Sequence, residues 1–222
     1  MYVETNNTKT HIRASSLLGT ARSIIQKEGL RSLFKQFISL LFMYEAIVIV
    51  RKDLDSIEEI DPALSNYVLK IIYSKQELLW LIKNGFNIGS YFNIYELQRR
   101  LDQGEIIFAI FVNGLLVHKT CVLMYDTGTL DSPISIDWTK EAYVQFVETK
   151  PEYRGYHLYP YTLSKVFKYM REKGKSVCVS SSTIRNVSSI KAHLKAGYRI
   201  SGKGRYIRVL LFLEFWKETC KL

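Results

Sequence analysis

Leu17, Leu18, Ala21, Ile24 and Ile25 recur at helical spacing, and so do Leu30, Leu33, Phe34, Phe37, Ile38 and Leu41. After a polar start over 1–14, they predict two helices over 15–43. The first is capped by Ser15 or Ser16 and stopped by Gly29. The apolar run 37–50 then passes from helix end into a strand over 45–51. An acidic loop over 53–61 and a helix over 62–72 are expected next. Ser74, with Glu77 three residues on, forms a capping box for a helix reaching Asn84. A short helix over 93–102 ends near Gly104. Alternation over 106–112 and 115–125, joined by Asn113-Gly114, predicts a hairpin, because Asn-Gly supplies the positive φ angles of a type I′ turn. A loop containing Asp131 and Pro133 follows. Then come a strand over 142–149, a helix over 161–173, a strand over 176–181 and a helix over 186–195 closed by Gly197. A last long strand covers 205–216. The order of elements is mixed α/β.

Composition narrows the class. The 222 residues suit one domain of ordinary to large size, or one domain with an appendage, and 47% hydrophobic content with 13% aromatics excludes a disordered chain. The run 37–50, interrupted by Glu45, is shorter than the ~20 residues a membrane-spanning helix requires. No charged start leads into an apolar run, so no signal peptide is expected. Three cysteines lie far apart without metal-ligand spacing, and Cys121 and Cys178 sit in strand-like runs as core residues. This usage points to the cytoplasm. Arg22, Lys27, Arg31 and Lys35 occupy the polar face of the first two helices. Such a face fits an anionic membrane surface, the protein's own domain, or a second subunit in a homodimer.

The net charge of +10 is concentrated. Fourteen basic residues stand against Glu152 and Glu172 between Lys150 and Arg208. A nucleic acid would explain that field, but no helix-turn-helix signature, zinc spacing or aromatic RNA-binding motif accompanies it. A phosphorylated small molecule explains it better. The strand over 142–149 ends at Arg154-Gly155 and turns at once into a helix, which aims several backbone N–H groups at one spot.

Pro151-Glu-Tyr-Arg-Gly-Tyr-His-Leu-Tyr159, followed some thirty residues later by Asn186-Val-Ser-Ser-Ile-Lys-Ala-His-Leu-Lys-Ala-Gly-Tyr198, resembles the acyl-CoA site of the GNAT acetyltransferase superfamily. Arg154 and Gly155 match the family's phosphate turn. His157 and Tyr159 stand where it usually has small residues. Asn186, Ser189, Gly197 and Tyr198 match its second segment. The resemblance implies a GNAT-like α/β (α+β) fold, with a mostly antiparallel central sheet flanked by helices. The acyltransferase domain would span 45–222, behind a helical N-terminal extension over 1–44. It implies acetyl-CoA or another acyl-CoA as co-substrate, no metal, and direct transfer to an amine whose identity is not legible. The implied cofactor-binding residues are Val147, Thr149, Arg154, Gly155, Tyr156, His157, Leu158, Tyr159, Asn186 and Ser189. Where many members carry a proton-donating tyrosine, seven residues after the Asn, this chain has His193. Glu148, near the end of the central strand, is the candidate base, with Glu141 and His118 behind it. Two other readings stand beside this one: an acyl-CoA-binding scaffold without turnover, and a basic nucleic-acid-binding domain.

Overall fold

The Asn113-Gly114 hairpin organises the molecule. Its strands β3 (Ile106–Val112) and β4 (Leu115–Leu123) are buried on both faces, and Asn113 and Gly114 take φ 49° and 77° as the turn requires. The computed structural model describes residues 42–130, 134–209 and 213–220. The helices expected over 15–43 lie outside the described residues, except that 42 and 43 open a strand; Asp131 and Pro133 also lie outside them. The chain divides into two compact units, Glu45–Tyr206 with Trp216–Leu222, and Met1–Tyr44 with Ile207–Phe215. Of the second, only 42–44, 207–209 and 213–215 are described, so the architecture that follows belongs to the first except at those strand ends.

The other strands are β1 (Phe42–Asp53), β2 (Tyr67–Ile72), β5 (Glu141–Thr149), β6 (Val177–Thr183), β7 (Arg199–Val209) and β8 (Leu213–Cys220). Their order in the sheet is β2-β3-β4-β5-β6-β1-β7-β8. β2 with β3, β3 with β4, β4 with β5, and β1 with β6 are antiparallel, whereas β5 and β6 run parallel. Helices α1 (Lys75–Lys83) and α2 (Ile94–Asp102) cover one face, where Leu78, Leu81, Leu97 and Leu101 pack on Ile107, Ala109 and Phe111. Helix α3 (Leu158–Glu172) covers the other, where Leu163, Val166, Phe167 and Met170 pack on Val48, Val50, Phe108 and Val144. Helix α4 (Val187–Lys195) joins that second face through Ile190. Cys121 and Cys178 are fully buried.

Three boundaries differ from the sequence expectation. The helix expected over 62–72 is strand β2 instead, paired with β3 from Tyr67 opposite Val112 to Ile72 opposite Ile107. Tyr-Val-Leu-Lys-Ile-Ile suits either period. The open edge of the hairpin decides, because pairing there satisfies a whole row of backbone groups. The single strand expected over 205–216 is two strands, and β7 starts at Arg199. Gly202 and Gly204 disguise that start. Its Ser201 is tied to β1, accepting from Arg51 (2.8 Å) and donating to the Ile49 carbonyl (3.3 Å). Helix α3 begins three residues early, at Leu158, because Pro160 falls in its first turn, where no helical N–H is lost.

Candidate active site

β5 and β6 are paired only from Glu141 opposite Val177 to Val144 opposite Ser180. Beyond that they part. The cause lies on the other edge of β5, where the register with β4 shifts so that Phe146 and Val147 together oppose Thr120. This is a β-bulge, which bends and twists its strand. Phe146 takes φ 49°, a conformation that costs energy in a bulky residue and needs outside support. Arg100 on α2 supplies it. Its guanidinium lies 3.0 Å from the Phe146 ring centroid and pairs with Glu96 (2.8 Å) and Glu105 (3.1 Å). The parted strands open a cleft of about 880 Å³. It is lined from the α3/α4 face by Tyr159 and His193 and from the opposite face by Tyr91, Tyr143 and Gln145. The cleft therefore connects the two faces of the sheet.

At its mouth is the turn before α3. A 3₁₀ turn over Pro151–Tyr153 hands the chain to Gly155 (φ 85°) and His157 (φ 61°, ψ 20°). These left-handed residues turn successive N–H groups toward one side, the geometry of an anion-binding nest. The N–H groups of residues 155–159 find no acceptor among the described residues; the next to do so is Tyr161, bonded to the His157 carbonyl at 3.1 Å. His157 thus keeps the backbone shape for which glycine is usually chosen, with its ring exposed and making no cap. Leu158 is buried, so it offers only its N–H, while Tyr156 is exposed. Ala63 N–H donates to the Tyr156 carbonyl (3.0 Å) and ties the turn to the preceding loop. Arg154 borders the cleft and donates from Nε to the Thr149 carbonyl at 3.3 Å.

Asn186 caps α4, its Oδ1 accepting from Ser189 N–H (3.1 Å) and Ser188 Oγ (2.9 Å). Two turns on from Asn186, His193 is buried. Its Nδ1 lies 2.8 Å from the Ser189 carbonyl, so that nitrogen carries a proton and donates it. Its Nε2 lies 3.0 Å from Ser180 Oγ, which donates to the Val144 carbonyl at 2.9 Å. With the ring doubly protonated every donor in that chain is used. With the ring neutral, Nε2 must take the Ser180 hydroxyl proton and Val144 loses it. Burial pushes the His193 pKa down, and the Ser189 carbonyl pulls it up. The Tyr159 ring stands edge-on to His193, with centroids 5.9 Å apart, and its buried hydroxyl has no partner among the described residues. Burial raises the Tyr159 pKa, so the phenol keeps its proton.

Val147, Glu148, Thr149, Arg154, Tyr159, Asn186, Ser189 and His193 all border the cleft, and Gly155, Tyr156, His157 and Leu158 form the turn at its mouth. Glu148 is half-exposed and faces the buried Lys119, Oε2 to Nζ 3.4 Å. The two reserve candidates for the base fall elsewhere. Glu141 sits at the paired start of β5, held by Arg51 (2.9 Å) and by Asp137 N–H (2.9 Å). His118 is wholly buried between Thr149 (2.7 Å) and Thr120 (3.0 Å), and burial with the nearby Lys119 charge lowers its pKa to about 3. It positions Thr149 rather than facing the cleft. Gln145 and the hydroxyl row Ser180–Thr183 also line the cleft and were not anticipated. The signals were present: a lone amide inside an apolar strand, and four consecutive hydroxyls in another.

No family model and no curated protein matches the sequence. Solved structures do resemble it. A Drosophila protein, 9% identical, superposes with a TM-score of 0.53 over 83% of this chain and 58% of its own. A proposed GNAT-family acetyltransferase from Novosphingobium aromaticivorans is 17% identical, with a TM-score of 0.48 over 73% of this chain and 62% of its own. A GCN5-related N-acetyltransferase from Sphaerobacter thermophilus is 13% identical, with a TM-score of 0.45 over 87% and 58% respectively. This chain spans about three fifths of the length of those proteins. A mostly antiparallel mixed sheet, split at one parallel pair, with helices on both faces and the Arg-Gly turn beside the split, is the GNAT fold.

Proposed function

We propose that the protein is an acyl-CoA-dependent N-acyltransferase, with acetyl-CoA as the simplest donor. One observation carries the reading: the five N–H groups at 155–159, without acceptors among the described residues, stand at the mouth of a cleft that begins where two parallel strands part. The turn suits a pyrophosphate, with Arg154 beside it, and the cleft is large enough for the arm and an amine. In the reaction the amine nitrogen bonds to the acyl carbon, the carbon–sulfur bond breaks, and the amine proton leaves. Glu148 takes that proton directly or through water. Its pairing with Lys119 holds its carboxylate in place. The departing thiolate takes a proton from His193, whose charged ring has a partner at each nitrogen and which burial makes a readier proton donor. Tyr159 is the second source, because its phenol borders the cleft without a partner among the described residues.

A binding protein without turnover is the other reading. It is favoured by Tyr159, whose ring stands where the family usually has a small residue. Isothermal titration with CoA and acetyl-CoA tests both readings at once. Binding below about millimolar is expected, the usual range for a metabolite site. Heat-silent mixing at several millimolar ends both, and binding without acyl transfer to any amine leaves the second.

A further inference from the structure

Gln145 follows the last paired residue of β5. It stands opposite Cys121 of β4, in the face that α1 and α2 cover, and away from α3. It is only 7% exposed, it lines the cleft, and neither Nε2 nor Oε1 meets a partner among the described residues. A desolvated amide with both ends unpaired lowers stability, whereas an apolar side chain of the same shape would not. Its place gives the cost a use. The phosphate turn and His193 occupy the α3/α4 face, so the thioester arm enters from there. Gln145 looks into the cleft from the opposite face, the side left for the amine. Tyr143 on that face is already paired, Oη to Ser181 Oγ at 2.7 Å, which leaves Gln145 as the amide aimed at the newcomer.

We propose that Gln145 determines acceptor specificity by pairing with a group on the amine substrate that both donates and accepts hydrogen bonds: an amide or a hydroxyl next to the reacting nitrogen. The inference rests on the acyl-transfer reading. A site built to pair such a group rejects analogues lacking it, because its own polar atoms would stay unpaired. The acceptors are thus polar amines, and plain alkylamines are poor substrates.

The test compares the parent with Gln145→Met, which keeps length and removes both hydrogen-bonding atoms. Acetyl transfer is measured to glycinamide, glucosamine and propylamine. The parent should prefer glycinamide or glucosamine over propylamine by roughly 10²-fold or more in kcat/KM, and whichever leads identifies the amide or the hydroxyl as the group read. Gln145→Met should shrink that preference to a few-fold while leaving CoA affinity unchanged and raising the melting temperature of the free protein. Transfer that shows no preference in the parent, or the same preference in the variant, overturns the inference and leaves the acyl-transfer reading standing. A lowered melting temperature also overturns it, since the amide would then be serving the fold. Absence of CoA binding in both proteins removes the acyl-transfer reading, and this inference with it.

Discussion

Replacing His157 by glycine should stabilise this protein, and replacing Gly155 by alanine should do the reverse. Both residues sit in the left-handed region, at φ 61° and 85°. A residue bearing a Cβ loses about 1–2 kcal/mol there. Glycine gives back roughly 0.5–1 kcal/mol through its freer unfolded chain. The balance for His157→Gly is a gain of up to about 1.5 kcal/mol. Gly155→Ala isolates the same quantity with the opposite sign, because a Cβ there would meet nothing within 4 Å and no clash is added. For a chain this long, about 1 kcal/mol moves the melting temperature by roughly 2–4 °C. Thermal unfolding of the parent and both variants, with and without CoA, is the assay. At a CoA concentration near 100 times its dissociation constant, each protein should gain about 2.7 kcal/mol. His157→Gly should gain at least as much as the parent, since it exposes the same N–H groups with less side chain around them. A fall in melting temperature for His157→Gly, or none for Gly155→Ala, would refute the left-handed turn. Correct melting shifts with no CoA-induced gain in any variant would keep the turn and refute its role.

Arg154→Ala should weaken CoA binding at least tenfold by titration with little change in melting temperature, since among the described residues its side chain is hydrogen-bonded to the fold through the Thr149 carbonyl alone. His193→Phe should cut turnover roughly 10²-fold with CoA affinity intact; an unchanged rate across pH 6–9 would pass the proton to Tyr159. His118 makes stability depend on pH: its native pKa of about 3 lies below the ordinary imidazole value of 6.5, so stability is full above 6.5 and declines as the pH falls toward 3. Urea unfolding at pH 7.5 and 5.0 should differ by about 2 kcal/mol from this group, and His118→Gln, which can still bond both threonines, should remove that part of the difference.

Much of the fold could be read because its signals are local. Asn113-Gly114 demands one turn type, and Ser74 with Glu77 demands a helix start; the Ser74 hydroxyl does accept from the Glu77 N–H at 3.2 Å. The site was legible where it depends on backbone shape, at Arg154-Gly155 and at the Asn186 cap. What escaped is what only the sheet decides. Tyr67–Ile72 became a strand because β3 offers an edge. Glu141 and Glu148 look alike in sequence, seven residues apart on one strand, yet the bulge between them places one in the paired sheet and the other beside the cleft. Gln145 has no meaning until it is known that β6 leaves β5 one residue earlier.

The cleft, in turn, is maintained from outside itself. Phe146 would not hold φ 49° unaided. The Arg100 guanidinium caps its ring from α2 and is itself held by Glu96 and Glu105, the second of them buried. This cluster lies on the face opposite the Arg154-Gly155 turn, so each face of the sheet contributes a different part of the cleft. The α1/α2 face forces the strands apart and presents Gln145, and the α3/α4 face presents the turn, His193 and Tyr159. The Val144 carbonyl stands at the point of separation, and it receives the Ser180 proton only while His193 is charged. The protonation state of the candidate acid is thereby coupled to the last hydrogen bonds that hold β5 and β6 together.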